Sequence, residues 1–215
     1  MENEVLNYYD VKMGQTVTHF TPWVPAVREE SSGGVREINL HTKLFDDRRL
    51  FLLGEVNSEM ANTFVAELLY LAQKNEPIDI YINSPGGSVE AGLVIYDVIQ
   101  DCGNKIPINM YCIGMAASMG AVILAGGQKG RRFILPHSKC MIHEPLIAGG
   151  LGGSATEIKN SADSILKTKE LLNNILAKHT GKTKKQVDKA TAFDHFMTAE
   201  EAIEFGICDE IRSII

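Results

Sequence analysis

The sequence is poor in the features that commit a chain to an unusual environment. Its four cysteines, Cys102, Cys112, Cys140 and Cys208, form no C-x-x-C pair and no finger-like spacing with the six histidines, which argues against a disulfide framework or a structural zinc. Free thiols buried in a reducing compartment are the expectation. Basic residues number 21 against 27 acidic ones, for a net charge of -6, so the basic face that a nucleic-acid partner requires is not expected. The opening "MENEVLNYYDVKMGQ" lacks the basic start and apolar run of a secretory signal, and a cytoplasmic location is expected. Residues 106–128 carry no charge and are long enough to span a bilayer. Yet Pro107, Asn109 and the glycines at 114, 120, 126 and 127 divide them, which favours a buried strand, a turn and a short helix over a membrane span. Also missing are a phosphate-binding G-x-x-x-x-G-K-[ST] loop, a zinc-binding H-E-x-x-H, a calcium loop and a G-x-G-x-x-G turn after a strand, so no cofactor or metal site is expected.

What is present is an alternation of extended and helical patterns. "RRLFLLGEV" reads as a strand, "SEMANTFVAELLYLAQKN" as a helix, and "PIDIYINSPGG" as a strand ending in a turn. The helix rests on Ala61, Phe64, Val65, Leu68 and Leu69 at three-and-four spacing, with Ser58 as its cap. "SVEAGLVIYDVIQDC" continues as a helix, "INMYCIG" as a strand, and "GRRFILP" and "KCMIHEPL" as further short strands. Strands separated by helices predict an α/β fold with a largely parallel sheet. Towards the end, "GSATEIKNSADSILKTKELLNNILAKHTG" predicts one long helix stopping at Gly181. Residues 1–23 are expected to form an arm outside a single domain of residues 24–215, with "ESSGGVRE" as a flexible loop.

One hydroxyl, Ser118, stands inside "GMAASMGA", a block otherwise made of glycine, alanine and methionine. Small neighbours suit either a tight packing seam or a nucleophile seat. Ser118 falls where a strand gives way to a helix, and "SPGGSV" at residues 84–89 is a second strand-to-helix turn. Unpaired N–H groups at both turns are suited to an oxyanion beside the serine. A nucleophilic serine needs a base, and the base needs an orienting group. His143 in "MIHEPL" is the best-placed histidine, and Asp194, in a loop before the capping box "TAEEA", is the acid, with Asp188 the next carboxylate to consider. Taken singly, each has an ordinary structural reading. Ala116 two residues before Ser118, and the order serine, histidine, acid, exclude the α/β-hydrolase elbow.

Four segments together carry a resemblance: "YINSPGGSVEAGLVIYD", "CIGMAASMGA", "KGRRFILPHSKCMIHEPL" and "FMTAEEAIEFGICDEI" resemble the proteolytic subunit of the Clp protease family, in the family's order, from about Val24 to Asp209. The resemblance implies a crotonase-like, Clp-type fold of repeated β-β-α units with a protruding helical handle. It implies stacked seven-membered rings enclosing a chamber, and an AAA+ unfoldase ATPase that delivers unfolded proteins and uses the ATP, leaving this chain without a cofactor. Carried over by position, Ser118 is the nucleophile, His143 the general base and Asp194 the orienting acid. The N–H groups of Gly87 and Met119 form the oxyanion hole. Tyr81 falls where the family places an aromatic that receives the ATPase, and residues 147–153 fall where rings meet and substrate is added as a strand.

The chain also departs from the family pattern. Thr191, Ala192 and Phe193 stand where an acidic residue and an arginine commonly pair between rings, and Phe193 has no guanidinium fork. Segments 147–153 and 102–111 are longer than expected. The main reading is a serine endopeptidase of a compartmental protease. An accessory subunit of a mixed ring, working beside a sister proteolytic subunit, is the second. An acyl-CoA enzyme of the same fold class is the third, and it leaves the Ser118 and His143 pair unexplained.

Overall fold

A computed structural model describes residues 26–31, 34–147, 149–150 and 152–214. The expected arm, and the boundary near residue 23, lie outside them. The chain divides into two compact units, residues 1–43 and 44–215. In the first, strands β1 (Ala26–Ser31) and β2 (Gly34–Asn39) pair antiparallel, Val27 opposite Ile38 and Glu30 opposite Val35. Most of the expected loop "ESSGGVRE" is therefore strand. Helix α1 (Leu40–Asp46) runs across the division.

The second unit is the α/β layer structure. Strand β3 (Arg49–Leu53), helix α2 (Ser58–Leu71) and strand β4 (Ile78–Ser84) come first, then helix α3 (Val89–Gly103) and strand β5 (Ile108–Ala117). Helix α4 (Met119–Ala125) and strands β6 (Arg132–Ile134) and β7 (Lys139–Ile142) follow. The chain then forms helices α5 (Ala155–Thr180) and α6 (Lys184–Ala190), strand β8 (His195–Met197), helix α7 (Ala199–Phe205) and strand β9 (Glu210–Ile211). The cap of α2 is Asn57, whose side chain accepts from the N–H of Met60; the expected cap, Ser58, is already the first helical residue. Asn57 holds the extended backbone a cap needs, and its carboxamide reaches the third residue onward.

Strands β3, β4, β5, β6 and β9 lie side by side, all parallel. One face buries Leu50, Leu52, Ile78, Ile80, Ile82, Ile108, Met110 and Cys112 in a core shared with Phe64 and Leu68 of α2 and Ile95 and Ile99 of α3. Because side chains alternate along a strand, the intervening positions face the other way. There Phe51, Tyr81, Tyr111 and Phe133 are register partners on four successive strands. Their rings stand in a row, with centroids 5.3, 5.1 and 5.0 Å apart.

The strand that matters most is β5, because it changes partner midway. Residues 110–112 pair with β6 and residues 115–117 with β7. Between them the register with β4 slips, Ile82 facing Cys112 but Ser84 facing Ala116. Gly114, at φ 156°, makes this slip feasible: a β-carbon there would lie 2.8 Å from Oδ1 of Asn83. That same oxygen accepts from the N–H of Met115 at 3.1 Å, so the irregular backbone keeps its hydrogen bond. The strand therefore runs on through "GMAA", three residues past the sequence reading, and delivers Ser118 at its tip.

All four cysteines are buried free thiols. Hydrogen bonding to Cys112, contact with Cys208 and burial together push the Cys140 thiol well above an ordinary cysteine pKa. Among the described residues, no helix is long and apolar enough to cross a membrane.

Candidate active site

Ser118 occupies the single residue between β5 and α4. Its φ of 53° and ψ of -121° are unusual for a residue with a side chain, and such a conformation persists only where neighbours over-determine it. They do so here. The Ser118 N–H donates to the Met141 carbonyl at 2.8 Å, and the Ser118 carbonyl accepts from the N–H groups of Ala121 and Val122 at 3.0 and 3.1 Å. The result is a sharp turn that aims the hydroxyl away from the strand.

Strand β7 runs beside that tip, and β8 pairs with it antiparallel through Cys140 and Met197, Met141 and Phe196, and Ile142 and His195. His143 is the residue just beyond β7, and Asp194 the residue just before β8. The last pair of this short ladder thus sets His143 and Asp194 next to each other. Nε2 of His143 is 2.9 Å from Oγ of Ser118, and Nδ1 is 2.9 Å from Oδ1 of Asp194. A carboxylate only accepts, so Nδ1 carries the proton and Nε2 offers its lone pair to the serine hydroxyl. The imidazole is mostly buried, 16% exposed, whereas Asp194 is 60% exposed.

The turn after β4 closes the site from the other side. Val56 donates to the Gly86 carbonyl and accepts from the N–H of Ser88, both at 2.8 Å, forming an isolated parallel bridge with Gly87. In a parallel bridge the middle residue's own N–H points away from its partner strand, so that of Gly87 is turned off Val56. Met119 is the first residue of α4, where helical N–H groups have no partner within the helix. A cavity of about 250 Å³ opens here, with Gly87, Ser118, Met119 and His143 in its wall. Its other lining residues are Pro85, Val89, Val122, Pro145, Leu146, Leu172 and Leu176, so nearly everything beyond the reactive groups is apolar. The spacing in α5 marks Leu172 and Leu176 as packing residues, but nothing local in the sequence places them beside Ser118.

The remaining candidates lie elsewhere. Tyr81 is only 6% exposed, stacked within the aromatic row, and it is not part of this cavity. Asp188 lies on α6, bound by Asn173 at 2.8 Å and by Lys184; the Asn173 hydrogen bond first, then Lys184, lowers its pKa. Phe193, next to Asp194, is 86% exposed. Of residues 147–153, two lie outside the described residues.

A serine at a strained strand-to-helix turn, a histidine within hydrogen-bond reach and a carboxylate behind it form an arrangement suited to acyl transfer. Comparison with known families agrees with the geometry, since the model for "Clp protease" matches residues 32–214. The chain belongs to the Clp protease family. Its α/β architecture, with a mostly parallel sheet and seven helices among the described residues, is the Clp-type fold. The family is one of serine peptidases, and the chain is a Clp-type peptidase subunit.

Proposed function

We propose that this chain is a serine endopeptidase subunit of an ATP-dependent compartmental protease, with Ser118 as nucleophile, His143 as general base and Asp194 as the orienting acid. The observation carrying this reading is the continuous relay, 2.9 Å from serine to imidazole and 2.9 Å from imidazole to carboxylate. Oγ of Ser118 attacks the peptide carbonyl carbon while its proton passes to Nε2 of His143. The carbonyl oxygen, now negative, is received by the N–H groups of Gly87 and Met119. Nε2 then returns the proton to the leaving amine, the C–N bond breaks, and water takes the serine's part in releasing the acyl group. Asp194 keeps the proton on Nδ1 and balances the charge of the imidazolium. Every step uses groups of this chain, so no cofactor is required.

The subunits are read as stacked seven-membered rings in the cytoplasm, with unfolded proteins supplied by an AAA+ unfoldase that uses the ATP. Tyr81 is read as part of the docking site for that partner, at a face where its stacked neighbours Phe51 and Tyr111 are partly exposed. A second reading, an accessory subunit of a mixed ring beside a sister proteolytic subunit, draws on one observation. Asp194 is 60% exposed and Phe193, beside it, 86% exposed, so a neighbour is needed to take that edge out of water. The test is peptidase activity against a short fluorogenic peptide, with labelling by a fluorophosphonate and particle mass measured on the same sample. Activity and labelling that vanish in Ser118→Ala, from particles of double-ring mass, support the self-sufficient enzyme. Activity that requires a sister subunit supports the accessory reading, and an unlabelled Ser118 in a particle of this chain alone overturns the self-sufficient enzyme.

A further inference from the structure

The loops that carry His143 and Asp194 are tied to each other and to one turn of α5 by polar groups with no role in the relay. Glu144 follows the base directly. Its N–H donates to the carbonyl of Thr191 at 2.8 Å, three residues ahead of the acid, and its carboxylate forms an ion pair with Lys169 of α5. The hydroxyl of Thr191 lies 3.3 Å from Oδ1 of Asn173, four residues after Lys169, and 3.0 Å from the Val187 carbonyl. The carboxamide N–H of Asn173 donates to Asp188 at 2.8 Å. Asn173 and Thr191 are both fully buried, in a place where a polar group without partners is costly.

We propose that Lys169 and Asn173 are positioning residues that hold His143, through Glu144, and Asp194, through Thr191, in register with Ser118. The proposal rests on the reading of those three residues as the catalytic relay. Residues four apart lie on one face of a helix, so Lys169 and Asn173 form a polar stripe. Leu172 and Leu176, also four apart, form the adjacent apolar stripe that walls the cavity. One segment of α5 therefore fixes both where the substrate side chain goes and where the proton acceptor stands. The ion pair is about one-third exposed on each side, so by itself it does little for stability; its effect is on geometry.

Lys169→Met and Glu144→Ala remove the ion pair from opposite sides and leave the relay residues intact. In the assembled enzyme each is expected to lower kcat roughly tenfold to a hundredfold, the scale of a misplaced reactive group, with KM within about twofold of wild type. Fluorophosphonate labelling of Ser118, which needs the base but no peptide binding, slows by the same factor. Exchanging the charges, Glu144→Lys with Lys169→Glu, recovers activity over either single variant. Unchanged kcat and labelling in both single variants, or a change confined to KM, overturns the proposal. If wild-type Ser118 resists labelling, the catalytic reading fails first and leaves nothing for Lys169 to position. Glu144→Ala keeps the test open should Lys169→Met fail to assemble.

Discussion

A β-carbon built on Gly86 would lie 2.6 Å from Cβ of Ser118 and 2.8 Å from the carbonyl oxygen of Ala117. The two strand-to-helix turns are therefore interlocked at a distance only glycine permits. Gly86 also has φ 95°, a conformation that side chains resist. Gly86→Ala is expected to push the turn off Ser118 and displace the Gly87 N–H from the cavity. If the Gly87 N–H receives the oxyanion as proposed, its loss costs about a hundredfold or more in kcat. Steady-state kinetics of an assembled Gly86→Ala enzyme with wild-type kcat would contradict this geometry.

The cavity beside Ser118 should act as an apolar receptor for the residue preceding the cleaved bond. Val122, Leu146, Leu172 and Leu176 line it, and none of the described residues in its wall is an acid, lysine or arginine to pair with a buried lysine or aspartate. Peptides with leucine or methionine at that place are expected to exceed those with aspartate in kcat/KM by about a hundredfold or more, given the cost of burying an unpaired charge. Val122→Asp should reduce the leucine preference. A matched series of fluorogenic peptides measures both.

Arg132 is 1% exposed, and its guanidinium meets Asp209 through two contacts, Nη2 to Oδ1 at 2.6 Å and Nε to Oδ2 at 2.9 Å. Burial raises the pKa of Asp209, but the hydrogen bonds and charge of Arg132 outweigh it and hold the carboxyl at about 2. Asp209→Ala strands a buried guanidinium and is expected to destabilise by about 3–5 kcal/mol. Replacing both residues with apolar ones should cost much less. Denaturant midpoints at constant slope give the comparison, and a single variant within about 1 kcal/mol of wild type would refute it.

His179 shares its Nε2 with the hydroxyl of Tyr96 at 2.7 Å. Burial first, then the charges of Lys178 and Arg132, lower its pKa from 6.5 to about 4. In the unfolded chain this residue takes up a proton near 6.5; in the folded chain it stays neutral until about 4. Unfolding thus consumes a proton between those values, and stability falls as the pH drops through that window, while above it the residue contributes nothing. Discounted for partial exposure, the loss is about 1–2 kcal/mol. His179→Gln, which still accepts from Tyr96, should flatten the fall of Tm between pH 6.5 and 4, and an equally steep fall in the variant would exclude His179 as its source.

The helices and the alternation with strands are legible in the sequence because local periodicity and caps specify them, as with the capping box of Thr198 and Glu201 before α7. Ser118, His143 and Asp194 stand out because each ends or begins a regular element. What is not legible depends on partners distant in sequence. The ion pair of Glu144 with Lys169 joins residues 25 apart, and Arg132 finds Asp209 77 residues away. Neither pair leaves a local pattern. The slip at Gly114 is likewise hidden, because a bulge is defined by the register of two strands and not by one of them. The hairpin of β1 and β2 escapes because serine and glycine report a turn equally well in a loop and in a ribbon.

Helix α5 is 26 residues long, roughly 39 Å, and its buried residues, Leu172, Asn173, Leu176 and Thr180, all lie in the last third. Helices fray from an unsupported end one residue at a time, and fraying stops where tertiary packing begins. That frontier falls next to Lys169. Melting of the first turns would leave these contacts as they are, whereas melting that advances about four turns would release Glu144 and, with it, the loop of His143. Any partner that shortens or extends the ordered part of α5 thus acts on a threshold set by the position of one lysine along the helix.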